Sequence, residues 1–90
     1  MAHTVVWTLR ARQELEAIHG YIATMNPPAA QRVARALVEA ADSLEAYPMR
    51  GRAVRGGRQL TTVTPYVIRY QVRLDEVIIL RVRHAARRRV

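Results

Sequence analysis

The stretch from Tyr66 to His84, YVIRYQVRLDEVIILRVRH, limits most severely what this chain can fold into. Its first half alternates: Tyr66, Ile68, Tyr70, Val72 and Leu74 form one row, and Val67, Arg69, Gln71 and Arg73 form the other. Strict period-2 alternation is the mark of a half-buried strand. The second half is less regular. Ile78, Leu80, Val82 and His84 share one parity, and Val77, Ile79, Arg81 and Arg83 share the other. Residues opposite one another in an antiparallel hairpin lie on the same side of the sheet. A three-residue loop, Leu74-Asp75-Glu76, sets Arg73 opposite Val77 and joins the two apolar rows. A two-residue loop would mix the rows and bury arginines without partners. The first register predicts a sheet with an apolar back and an arginine-rich front of Arg69, Arg73, Arg81 and Arg83, with Val77 and Ile79 among them.

Such a back must be covered. His3 to Trp7 reads as an edge strand and Thr8 as the N-cap of a helix from about Leu9 to Thr24, with a stripe of Leu15, Ile18, Ile22 and Met25. Asn26 caps a second helix that opens with Pro27-Pro28, because a proline in the first turn lacks only an N–H that would have no helical partner. That helix reads to about Ala46, with Ala30, Val33, Ala34, Leu37, Ala41 and Leu44 on one face. Residues 47 to 57 read as a loop, and Arg58 to Val63 as a strand ended by Thr64-Pro65. The order β-α-α-β-β-β predicts an α+β two-layer fold. An N-terminal strand and an αα-hairpin pack on a mainly antiparallel sheet with a C-terminal three-stranded meander. Ninety residues fit one domain spanning 1–90.

Charge divides along the chain. Residues 1–47 carry four arginines against five carboxylates, and residues 48–90 carry eleven arginines against Asp75 and Glu76. The net charge of +8 therefore belongs to the C-terminal half and points to an acidic or polyanionic partner for one face. The absence of Cys excludes disulfides and thiolate metal sites and fits a cytoplasmic setting. No apolar run is long enough to span a membrane, and the first residues do not read as a signal peptide. His3, His19 and His84 are scattered, so no metal site or other cofactor is expected. Base-stacking nucleic-acid modules interleave aromatic and basic residues. Here Tyr66 and Tyr70 fall on the apolar row instead, and there is no Phe.

Several spacings taken together resemble the RelE/ParE superfamily of bacterial toxins. They are Asn26-Pro27 with Ala29-Ala30, Leu44 before Pro48, Pro48-x-x-Gly51-Arg52, Arg58-x-Leu60, Pro65-Tyr66-Val67-Ile68-x-Tyr70 and Val77-Ile78-Ile79-Leu80-Arg81-Val82-x-His84. The resemblance implies a toxin of a type II toxin–antitoxin system, neutralised by a cognate antitoxin whose acidic C-terminal segment wraps it. Members similar to ParE poison DNA gyrase; members similar to RelE cleave mRNA in the ribosome. The N-terminal half of this chain looks closer to ParE. The lack of lysine, and of a tyrosine after His84, leans the same way.

The resemblance assigns antitoxin or target contacts to Arg52, Arg58, Arg69, Arg73, Val77, Ile79, Arg81 and Arg83. Under the endonuclease alternative it makes Arg58, Arg81 and His84 the catalytic candidates. Arginine stabilises a crowded phosphate but does not act as a base, because it stays protonated in proteins. In the basic half only His84 titrates near neutrality, and Glu45 is a carboxylate base only if the loop turns it towards the sheet. The face assignment sets His84 on the apolar side, beneath the first helix.

Overall fold

The structure is a computed structural model and describes residues 3–87. The basic tail residues Arg88 and Arg89 lie outside the described residues. Strand β1 (Thr4–Trp7) leads into helix α1 (Leu9–Ala23) and helix α2 (Pro27–Asp42), which ends in a short 3-10 turn, Ser43–Glu45. Four strands follow: β2 (Arg52–Val54), β3 (Gly57–Leu60), β4 (Tyr66–Arg73) and β5 (Glu76–His84). They form one five-stranded sheet in the order β1-β5-β4-β3-β2. The sheet is antiparallel except where β1 runs parallel to β5.

Both helices start where local chemistry dictates. Thr8 Oγ1 accepts the N–H of Ala11, and Asn26 Oδ1 accepts that of Ala29. Each bond satisfies one of the orphan donors of a first helical turn. Small residues let the two helices approach closely, and Ala11, Ala30 and Ala41 have no exposed surface. The hairpin covers the back of the sheet, where Leu37, Leu44, Ile68, Tyr70, Val77, Ile79 and Val82 are almost completely buried.

Three details differ from the sequence reading. Arg52–Val54, within the expected loop, forms strand β2, so the meander has four strands. The second helix stops at Asp42 rather than near Ala46, because the chain tightens into the 3-10 turn.

The third difference is the hairpin register. Tyr66 pairs with His84, Ile68 with Val82 and Arg69 with Arg81, as the three-residue loop requires. Beyond that point the ladder shifts by one residue, so Tyr70 faces Ile79, Val72 faces Val77 and Arg73 faces Glu76. Leu80 is the extra residue of a β-bulge. The loop is therefore two residues, Leu74-Asp75, and Leu74 takes φ 55. The bulge reverses the parity of the turn-proximal half of β5. Val77 and Ile79 go into the core with no exposed surface, while Ile78 and Leu80 are only half-buried. Val77 and Ile79 thus do not belong to an open front.

Candidate functional site

The front of the sheet carries a row of polar side chains that crosses four strands. Arg52 on β2 stands opposite Gln59 on β3, Gln59 opposite Arg69 on β4, and Arg69 opposite Arg81 on β5. Cross-strand partners share a face. Arg83, opposite Val67, and Arg73, opposite Glu76, extend the same face on either side. Its apolar members are Val67, buried among them, and half-buried Ile78, rather than Val77 and Ile79.

Like charges on neighbouring strands repel unless something neutralises them. Arg69 and Arg81 are held by the chain itself. Arg69 Nη2 donates to the carbonyl of Arg55 at 2.9 Å, and Gln71 Nε2 donates to that of Gly56 at 3.0 Å, so the β2–β3 turn is tied to this face. Arg81 Nε donates to Glu14 Oε2 at 2.8 Å, and its Nη2 lies 2.7 Å from the same oxygen. The other oxygen of Glu14 accepts the backbone N–H of Val82 at 2.8 Å.

Arg58 departs from its expected place. It stands opposite Tyr70, so it lies on the face that points to the core. Its Nη1 donates to the carbonyl of Gly51 at 2.6 Å. The buried hydroxyl of Tyr70 accepts the Gly51 N–H at 2.9 Å and donates to the carbonyl of Pro48 at 2.8 Å. A Cβ on Gly51 would sit 2.7 Å from both Gln59 O and the Tyr70 hydroxyl, so glycine alone fits this corner. Arg58 and Tyr70 together hold the 48–51 loop, and through it set where Arg50 and Arg52 begin.

His84 lies beside Tyr66, their rings edge to face with centroids 5.4 Å apart. Its Nδ1 accepts the N–H of Ala86 at 3.1 Å, which assigns the proton of the neutral ring to Nε2. By strand alternation it belongs to the face of Ile68 and Val82, as the sequence reading has it, and not to that of Arg69 and Arg81. Glu45 is exposed, and its carbonyl accepts the N–H of His3 beside β1.

A groove of about 570 Å³ runs between α1 and the free side of β5, lined by Glu14, Ala17, Ile18, Tyr21, Tyr66, Arg81, Val82, Arg83 and His84. Sequence reasoning missed Glu14 altogether. Its one signal was position: an acid four residues before Ile18 lies at the margin of the helix stripe, where it can reach past the packed face.

The structure therefore gathers Arg52, Arg69, Arg73, Arg81 and Arg83 on one face, turns Arg58 into the loop corner and sends Val77 and Ile79 to the core. Among the described residues no helix is long and apolar enough to cross a membrane, and no three His, Asp or Glu side chains gather to hold a metal ion.

Residues 5–89 match the family described as the ParE toxin of the type II toxin–antitoxin system parDE. The chain is 56% identical over 84 residues to a Caulobacter vibrioides protein named Toxin RelE2, covering 92% of this chain and 96% of that one. A putative toxin of Sinorhizobium fredii, Y4kP, is 42% identical over 82 residues, which cover 88% of this chain and 84% of that protein. Among solved structures, a chain of the chromosomal ParDE toxin–antitoxin system from P. aeruginosa superposes with a TM-score of 0.80 at 26% identity, covering 92% of this chain and 96% of that chain. A chain of the RelBE2 toxin–antitoxin complex from Mycobacterium tuberculosis superposes with a TM-score of 0.73 at 29% identity, covering 93% of this chain and 99% of that one.

Proposed function

We propose, from the premise that this chain belongs to the ParE toxin family of type II toxin–antitoxin systems, that its arginine face docks on a protein target, DNA gyrase, and poisons it. The cognate antitoxin keeps the toxin inactive by covering that face. One observation carries this reading: the arginine row crosses four strands, and Arg52 and Arg69 lie apart from the groove that His84 lines with Arg81 and Arg83. Arg52, Arg69 and Arg81 share one side of the sheet, whereas His84 belongs to the other and has Nδ1 engaged by Ala86. RNA cleavage by 2′-hydroxyl attack needs a base, a charge clamp and an acid around one phosphate. A docking surface needs none of these, and a basic face with apolar Val67 and Ile78 suits protein contact.

A second reading, ribosome-dependent mRNA cleavage, draws support from the groove beside β5. Glu14, Arg81, Arg83 and His84 line it together, so a carboxylate, an imidazole and two guanidinium groups share one concavity.

Purified, antitoxin-free protein added to gyrase separates the two. The gyrase reading expects loss of supercoiling and trapped double-strand breaks, with cellular mRNA intact. Growth arrest with normal gyrase and cut mRNA would replace it with the endonuclease reading.

A further inference from the structure

From Tyr47 to Leu74 the chain carries six arginines and no carboxylate. The fold keeps the acids elsewhere. Glu14, Glu16, Glu39, Asp42 and Glu45 belong to the helical layer, and Asp75 and Glu76 to the tip of the β4–β5 hairpin. The β2–β3 hairpin forms the outer edge of the sheet, so that edge is basic with no acid in its own strands.

The hairpin also has few free acceptors. The carbonyl of Gly51 accepts Arg58 at 2.6 Å, that of Arg55 accepts Arg69 at 2.9 Å, and that of Gly56 accepts Gln71 at 3.0 Å. The last two bonds fix the two-residue turn Arg55-Gly56, where Gly56 takes φ 84, against the front of the sheet. Arg52 and Arg55 are exposed, and neither side chain makes a hydrogen bond or ion pair with another described residue.

We propose that this edge is a phosphodiester site, where Arg52 and Arg55 grip the backbone of duplex DNA without regard to sequence. Which duplex it grips rests on the gyrase reading above: it is the DNA that gyrase holds. Guanidinium groups donate in pairs to phosphate oxygens. A carbonyl that already accepts a donor repels a phosphate less than a free one.

The edge suits a protein poorly. Between Met49 and Leu74 no large hydrophobic side chain is exposed, and protein contacts are anchored by aromatic and apolar groups. Phosphate contacts need no such anchor. Unpaired bases stack on aromatic rings. The exposed Tyr47 lies off the hairpin, in a notch with Ser43, Pro48, Met49 and Arg50. The apolar members of the front, Val67 and Ile78, lie on β4 and β5, so protein and DNA contacts fall on different strands.

Fluorescence anisotropy of a labelled random-sequence duplex of about 20 base pairs, titrated with purified antitoxin-free protein, tests this. The wild type is compared with Arg52→Gln/Arg55→Gln and with Arg10→Gln/Arg12→Gln, which removes the same charge from exposed positions on α1. Wild-type affinity should fall between about 50 and about 200 mM salt, with a logarithmic slope of about −2 or steeper. The hairpin variant should bind at least about tenfold weaker and flatten that slope by about 1 to 2. The helix variant should stay within about twofold, because salt screens charges far from the contact. No duplex binding, or equal weakening by the two variants, would overturn the proposal; the gyrase reading stands if the same protein still traps breaks. Tighter binding of a single-stranded RNA of equal length would give the edge to RNA, and displacement of the duplex by polyglutamate at equal charge would give it to a protein; either overturns the proposal. Duplex binding with normal gyrase would keep the DNA edge and remove the gyrase reading. The wild-type salt slope decides even if a variant fails to fold.

Discussion

The two faces of the same sheet follow opposite rules. The back presents Ile68, Tyr70, Val77, Ile79 and Val82 to a pair of helices, and these side chains lose nearly all their exposure. Its residue types are set by volume and transfer from water, and each buried group is tied to its neighbours. The front presents Arg52, Arg69, Arg73, Arg81 and Arg83, which stay at least partly in water. Nothing about folding requires five guanidinium groups there. The chain holds Arg69 and Arg81 through the Arg55 carbonyl and Glu14; on the proposed reading the front serves contact, while the back serves stability.

That contrast can be broken by experiment. The largest effect is expected at Ile79. Truncation to Ala should lower unfolding free energy by about 2–5 kcal/mol in denaturant titration, because a fully buried side chain is lost. A small change in stability with a large loss of antitoxin affinity would return Ile79 to the front. Next comes Tyr70→Phe, which strands the Gly51 N–H and the interaction with the Pro48 carbonyl. It should lose ~1–3 kcal/mol, and tryptic cleavage at Arg50 and Arg52 should quicken as the 48–51 loop loosens. Unchanged cleavage there would mean that the hydroxyl does not hold the loop.

At the hairpin tip Leu74 is 96% exposed with φ 55. The left-handed region strains a residue with a Cβ, so Leu74→Gly should raise stability by about 0.5 kcal/mol. A loss would show that Leu74 packs in a way its exposure conceals. The smallest effect on folding is expected on the front. Arg52→Glu and Arg73→Glu should each alter stability by less than about 0.5 kcal/mol, yet each should weaken the antitoxin complex measurably at low salt. Equal binding in titration calorimetry would take those two residues out of the interface.

How far the sequence exposed this design depended on where its signals were local. Thr8 and Asn26 were legible because a cap needs only its own turn. The alternation in β4 was legible because polar and apolar residues take turns. In β5, Val77-Ile78-Ile79-Leu80 is apolar throughout, so nothing marked the residue that would bulge, and both Val77 and Ile79 were assigned to the wrong face. Arg58 reads like any other basic strand residue. Its face became visible only once β3 was paired with β4, which sets it opposite Tyr70. Glu14 and Arg81 are 67 residues apart, and no local pattern connects them.

The decisive titration follows gyrase supercoiling against purified wild-type protein, His84→Ala and an Arg52→Glu/Arg69→Glu double variant. A docking toxin whose working surface is the arginine front predicts that wild-type and His84→Ala trap DNA breaks at similar concentrations. The double variant should need at least about tenfold more protein. If a folded His84→Ala were inert while the double variant stayed fully potent, the division of labour between the two faces would be wrong.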